Sequence, residues 1–273
     1  MFDIDWDPVI LSIGTLEIRW YGVMVVLAVI AVIGLSLIEA RRKGFSQDMV
    51  WDVGLWAVIG GILGARLLHI IDKWDYYINQ PAQILNFGGL AIWGAVLGGL
   101  LAILIYCLAK KVSFWQLGDI AAPGAILGQA IGRIGCLVNG CCYGLACELP
   151  ISVIYSNPNS YAPLGVPLYP TQLFHIIWDL VGFGVIWALR KKLRPDGALF
   201  LTWLIFFGAG DFVVRFFREN EVFLFNLPQA QLLDIVIVAA AVVVLLVRFV
   251  LNRRVKPAAE VPGINRSGQN PGD

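Results

Sequence analysis

Residues 119–144 read DIAAPGAILGQAIGRIGCLVNGCCYG. The first part is long and apolar enough to enter a bilayer. Gly124, Gly128 and Gly132 recur every four residues, the small-xxx-small pattern that lets helix backbones approach closely in lipid. The glycine-dense turn that follows leaves backbone N–H groups free to face a ligand. Arg133 supplies fixed positive charge beside it, and Asn139 adds an amide that donates and accepts. The same glycines also suit a helix C-cap and tight turn, so both uses stay open on glycine alone.

Outward from this stretch the chain reads as a membrane protein. Its 273 residues are 59% hydrophobic and 14% charged, with mean hydropathy +0.76. Soluble domains run nearer to about 45–50% apolar and about 25% charged. The net charge of +1 says little about partners, and no nucleic-acid partner is expected. Seven candidate spans fall at 17–38, 50–71, 87–109, 115–136, 171–189, 197–217 and 228–250. The expected fold is an all-α membrane protein of seven transmembrane helices. It forms one polytopic domain over 1–255, with a loop at 137–170 and a Pro/Gly/Asn/Ser tail at 256–273 that reads as disordered. Glycines in span two (Gly60, Gly61, Gly64) and span three (Gly94, Gly98, Gly99) predict that spans two to four form a tight central bundle. The first residues are acidic where a cleavable signal peptide is basic.

Lys and Arg sort between alternate connections: Arg41-Arg42-Lys43, Lys110-Lys111, Arg190-Lys191-Lys192 with Arg194, and Arg248 with Arg253, Arg254 and Lys256. The 137–170 loop has neither. The positive-inside rule then places the N-terminus outside and the C-terminus in the cytoplasm. Arg19, Arg66, Arg133, Arg215 and Arg218 break this bias near the outward span ends. Each alone could snorkel to headgroups. Five on one side point to an anionic ligand, and arginine suits the bidentate geometry of phosphate.

Gly132-Arg133-Ile134-Gly135, then Asn139-Gly140, then Gly144 resembles the signature of the prolipoprotein diacylglyceryl transferase family. Arg19-Trp20-Tyr21-Gly22 resembles its first-helix motif, and 88–94 (GGLAIWG) its third-helix motif. Tyr169-Pro170-Thr171-Gln172-Leu173 resembles the opening of its fifth helix. Phe216-Phe217-Arg218 with Gln231-Leu232 resembles the join of its last two. The resemblance implies transfer of a diacylglyceryl group from phosphatidylglycerol to the lipobox cysteine thiol of a prolipoprotein. The product is a thioether, and glycerol phosphate leaves. It implies a multi-pass protein of the bacterial cytoplasmic (inner) membrane with an outward active site, and no cofactor. Arg133 and a second arginine would stabilise the leaving phosphate, and some group must take the thiol proton.

The match departs at several positions. The family's third-helix motif often carries His where this chain has Trp93, its fifth-helix motif often begins with His where this chain has Tyr169, and His175 stands where Glu is frequent. Near the sixth helix the usual Arg and Glu are exchanged, as Asp211 and Arg215. At i, i+4 these still permit an ion pair on one helix face. A one-turn slide would instead pair Arg215 with Glu219, but the in-register reading keeps Phe-Phe-Arg218. The expected catalytic residues are Arg133, Tyr21 and His175. The expected substrate contacts are Arg133, Asn139, Gly144, Arg218, Arg215, Gln172, Arg66 and Trp93.

The bland readings stand beside these: Tyr21 in an interfacial aromatic belt, and His175 as a structural hydrogen-bonder. Asp119 and Asp234 read as interfacial, while Asp179 needs a partner inside the bundle. Cys136, Cys141, Cys142 and Cys147 lack a Cys-x-x-Cys pair and an adjacent His, which disfavours zinc. A disulfide of Cys141 or Cys142 with Cys147 is a second reading, and a covalent cysteine nucleophile is a third, disfavoured because the family's acceptor cysteine belongs to the substrate. The alternatives to the transferase are a non-enzymatic lipid or anion transporter on the same bundle, and a protein that binds lipoprotein precursors without turnover.

Overall fold

The structure, a computed structural model, describes residues 1–14, 16–80, 91–218, 223–224 and 227–254. Gly88, Gly89, Leu90, Glu219 and the tail expected at 256–273 lie outside the described residues. In chain order the elements are β1 (Phe2–Ile4), β2 (Val9–Ile13), β3 (Leu16–Arg19), α1 (Trp20–Lys43), α2 (Gln47–Asp72), α3 (Trp74–Asn79), α4 (Ile92–Lys110), α5 (Phe114–Asn139), β4 (Val153–Tyr155), α6 (Thr171–Leu189), α7 (Ala198–Val214) and α8 (Gln229–Arg254). A 3₁₀ turn, Arg215–Phe217, continues α7.

The seven long helices, all but α3, are apolar and long enough to cross a membrane. The expected spans stand, with their ends moved. Helix α1 runs on through Arg41-Arg42-Lys43 because the basic residues of its last turn favour the negative end of the helix dipole. Gly44, in the left-handed region, then closes it.

Helix α5 packs against α1, α6 and α7 and is the most buried of the seven. Gly124 makes this possible: a Cβ there would sit 2.8 Å from the Val32 backbone of α1. Helices α2 and α4 form a separate close pair, where a Cβ on Gly64 would collide with the Gly94 carbonyl oxygen. The predicted bundle of spans two to four is therefore corrected. Each glycine stripe serves one partner, so the small residues make two pairs, α2 with α4 and α1 with α5.

The two ends of the bundle differ. At the Lys/Arg-rich end, Asp119 of α5 is buried and accepts from the backbone N–H groups of Gly197, Leu199 and Phe200. It thereby caps α7 and pairs with Lys43 Nζ at 3.0 Å. Four donors compensate its burial. Glu39, fully buried, pairs there with Arg42 and with Arg190 at 3.2 Å.

At the opposite end the 137–170 segment is a small folded head. Strand β1 pairs in parallel with β4, and β2 pairs antiparallel with β3. Val153, Tyr155, Ala162 and Leu168 form the head's own core.

Candidate active site

The site lies at the head end, where α5, α6, α7 and α8 converge. Arg133 is six residues before the end of α5, about 9 Å along the axis. His175 and Asp179 stand one and two turns into α6, and both are buried. Asp211 lies near the end of α7, Arg215 in the 3₁₀ turn, and Asp234 in the second turn of α8.

Asp211 is the hub. Its Oδ2 accepts from Arg215 Nε at 2.6 Å, the i, i+4 pair expected from the sequence. Its Oδ1 lies 3.5 Å from His175 Nε2 and 3.8 Å from Arg133 Nη2. Arg215 Nε is also 3.7 Å from Asp234 Oδ2. Asp234 is buried beside that guanidinium. Arg133 is the cationic neighbour of the buried Asp179. Arg133, Arg215 and Arg218 all bear on His175. Two guanidiniums, of Arg133 and Arg215, and the His175 imidazole thus stand about one short carboxylate. Asp179 and Asp234 share these arginines with Asp211, and guanidinium groups gathered in this way suit the bidentate geometry of an anion such as phosphate. His175 Nε2 is buried and makes no hydrogen bond among the described residues. A buried donor or acceptor left this way is a position where a ligand's polar atom is expected.

Tyr21, in the first turn of α1, is 42% exposed and faces α5 across Gly135. Arg133, Cys136, Cys141 and Cys142 are its electrostatic neighbours. A Cβ on Gly132 would meet nothing within 4 Å, so packing does not demand this glycine and space lies open beside Arg133.

The other expected contacts have different surroundings. Asn139 is buried, and its Oδ1 accepts from Arg19 Nη1 at 3.1 Å while its carbonyl accepts from Tyr161 N at 3.2 Å. Arg19 also binds Glu17 and the Asn159 carbonyl, and it stacks on Tyr161 at 4.2 Å. Arg19 and Asn139 therefore clasp α1, α5 and the head together. Gln172 is buried and donates to the Cys141 carbonyl at 2.8 Å. Its neighbour Thr171 donates to the Cys142 carbonyl at 2.7 Å. Together they hold the turn after α5 in place. Gly144 lies against Phe217, Tyr169 and Thr171, where a Cβ would sit 2.5 Å from the Phe217 carbonyl oxygen. Arg66 is buried on α2 with its guanidinium 5.2 Å from the Tyr77 ring, and Trp93 is 56% exposed at the start of α4. Those two belong to the α2/α4 pair, not to the four helices that carry the Asp211 cluster.

All five cysteines are free thiols. The thiols of Cys136, Cys141 and Cys142 lie within 4.8 Å of one another. The expected pairing of Cys141 or Cys142 with Cys147 is corrected: the turn after α5 folds Cys141 back so that its N–H binds the Cys136 carbonyl at 3.1 Å.

Sequence reasoning singled out Arg133, His175, Arg215 and Tyr21. It missed Asp211 as the shared hub and Asp234 as its neighbour. The signal for both was a carboxylate inside an apolar run, which is costly without a partner.

Comparison with known proteins decides the family. The family model described as prolipoprotein diacylglyceryl transferase matches residues 8–247. The chain belongs to this family. A relative from Dehalococcoides mccartyi (strain 195), named phosphatidylglycerol--prolipoprotein diacylglyceryl transferase, is 43% identical over 243 residues. That alignment covers 89% of this chain and 94% of the relative. A relative of the same name from Listeria welshimeri is 32% identical over 260 residues, covering 92% of this chain and 91% of the relative. Diacylglyceryl transferases are enzymes, so the Asp211 cluster is the candidate active site of this family member. Its signature arginine, Arg133, lies within that cluster.

Proposed function

We propose that the chain transfers the diacylglyceryl group of phosphatidylglycerol to the thiol of a prolipoprotein lipobox cysteine. Its relatives are named for both substrates. In the reaction the thiol gives up its proton, and its sulfur bonds to the glyceryl carbon that bears the phosphate. The carbon–oxygen bond to phosphate breaks, and glycerol phosphate leaves with the bonding pair. The products are a thioether and glycerol phosphate. We assign the residues from the geometry. Arg133, with Arg218 and Arg215, holds the phosphate and stabilises the charge that grows as it leaves. His175 accepts the thiol proton, and the Asp211 carboxylate 3.5 Å away offsets the imidazolium charge. Tyr21 lines the Arg133 side of the space. Asn139, Gln172 and Gly144 act by holding the turn that carries this site. Arg66 and Trp93 of the α2/α4 pair are assigned to the lipid's path to it.

The observation that carries this reading is the His175–Asp211–Arg133 constellation, with a buried, unbonded His175 Nε2 beside clustered guanidiniums. The distribution of Lys and Arg supports a site facing outward from the bacterial inner membrane, where lipobox segments are presented. The transporter and binding-only readings lose their ground, because the family is enzymatic.

The test is a membrane assay with phosphatidylglycerol labelled in its acyl chains and a lipobox peptide. The expected result is label on the cysteine together with released glycerol phosphate. Absence of product, under conditions where a related enzyme forms it, refutes the assignment.

A further inference from the structure

The turn after α5 brings together three thiols that the transfer reaction does not use. Gly140, at φ +68°, reverses the chain, and Cys141 N then binds the Cys136 carbonyl at 3.1 Å. Cys142 sits at φ +61°, a left-handed conformation that L side chains rarely adopt. It is held there from outside: Thr171 Oγ1 donates to its carbonyl at 2.7 Å, and Gln172 Nε2 to the neighbouring Cys141 carbonyl at 2.8 Å. Both donors are buried on the first turn of α6. The three sulfurs therefore converge because four backbone constraints aim them, and all three lie within 4.8 Å of one another.

We propose that Cys136, Cys141 and Cys142 form a three-thiolate binding site for a soft, singly charged d¹⁰ cation of the Cu(I) class. Metal–sulfur bonds of about 2.3 Å place the sulfurs of a trigonal or tetrahedral site about 3.8–4.0 Å apart. The observed spacing needs each thiol to move by less than about 1 Å to meet that distance, within reach of a χ1 adjustment. Thiolate sulfur selects soft ions over Mg or Ca. Among the described residues no His, Asp or Glu joins the trio. Three ligands suit Cu(I) better than Zn(II), whose structural sites are four-coordinate. Three thiolates around one monovalent ion leave net negative charge, and the guanidiniums of Arg218 and Arg133 near Cys142 offset it. Cys141 and Cys142 are half-buried, which leaves an entry path, while buried Cys136 forms the floor.

The experiment uses the full chain in detergent micelles, titrated anaerobically with Cu(I) against a chromophoric Cu(I) chelator. The site predicts that one ion per chain is withheld from the chelator. Cys141→Ser and Cys142→Ser should each weaken retention by more than about tenfold. Cys107→Ser and Cys147→Ser should leave it unchanged. On the unmodified chain, Cu(I) should protect Cys141 and Cys142 from alkylation while Cys147 keeps its rate. This second measurement decides the matter even if a serine variant fails to fold. Retention that survives loss of Cys141 and Cys142, or protection that falls on Cys147 instead, overturns the site. So does a purified chain in which Cys136 and Cys141 are already joined as a disulfide.

Discussion

Asp211→Asn is the most informative single change in this protein. The substitution keeps the shape and one acceptor oxygen but removes the charge. In the wild type one buried carboxylate faces Arg215 at 2.6 Å, His175 at 3.5 Å and Arg133 at 3.8 Å. At 3.5 Å and an effective dielectric of about 20, two unit charges interact by about 5 kcal/mol. That figure is the ceiling for what Asp211 offers an imidazolium formed during proton transfer. Arg215 and Arg133 keep 21% and 23% of their side-chain surface exposed, so water takes over part of their compensation when the carboxylate is lost. The stability cost is accordingly set at about 1–3 kcal/mol, below the about 3–5 kcal/mol of a fully buried broken pair. The catalytic cost is larger. Without the carboxylate, an imidazolium at His175 loses its charge compensation, and general-base catalysis contributes about 10²–10⁴-fold. Transfer by Asp211→Asn should therefore fall by about 10²–10⁴-fold. The assay measures thioether formation on a lipobox peptide, alongside thermal unfolding in the same detergent. A folded Asp211→Asn variant that works within about threefold of wild type, far less than a positioned base supplies, would refute the hub role.

Four further outcomes are expected. Arg133→Ala should abolish transfer while the protein still inserts, and Arg133→Lys should recover only part of it, since an ammonium lacks the guanidinium fork; near-normal turnover by the alanine variant would refute the phosphate role. Gly132→Leu should impair transfer with little change in stability, because open space surrounds that position, whereas Gly64→Leu should prevent α2 and α4 from pairing; paired activity and thermal-unfolding measurements separate the two. Asp119→Asn removes the charge that caps α7 and pairs with Lys43, and should cost about 1–3 kcal/mol of stability without changing turnover per folded molecule, read by denaturation against specific activity. Burial pushes the Tyr155 phenol above its ordinary value, so folding favours its protonated form. Its contribution is complete below about pH 10, the ordinary tyrosine value, and is lost as pH rises towards the folded value. Thermal stability should therefore fall on the alkaline side, and Tyr155→Phe should flatten that fall.

The residues differ in how far they could be read in advance. The Asp211–Arg215 pair was legible because i, i+4 spacing on a helix fixes a meeting point without knowledge of any other helix. Arg133 was legible because a charge inside an apolar run needs a reason. The neighbour of Asp234 was not legible because Arg215 comes from another helix. Arg19 was grouped with the anion-seeking arginines, yet it spends its donors on Glu17, Asn139 and Asn159, two of which lie more than a hundred residues away.

Sequence alone determined the seven helices, their approximate limits and the asymmetry of their charged ends, because burying backbone in lipid demands long apolar helices and excess lysine and arginine mark one side. Only the tertiary structure decided which helices touch. Glycine stripes announce close packing but not the partner, so α5 was found beside α1, α6 and α7, and α2 beside α4. It also decided that His175, Asp211 and Arg133, from three different helices, meet around one carboxylate, and that three cysteines converge at one turn. Contacts between helices depend on their rotation and depth, and local spacing along one chain segment carries neither.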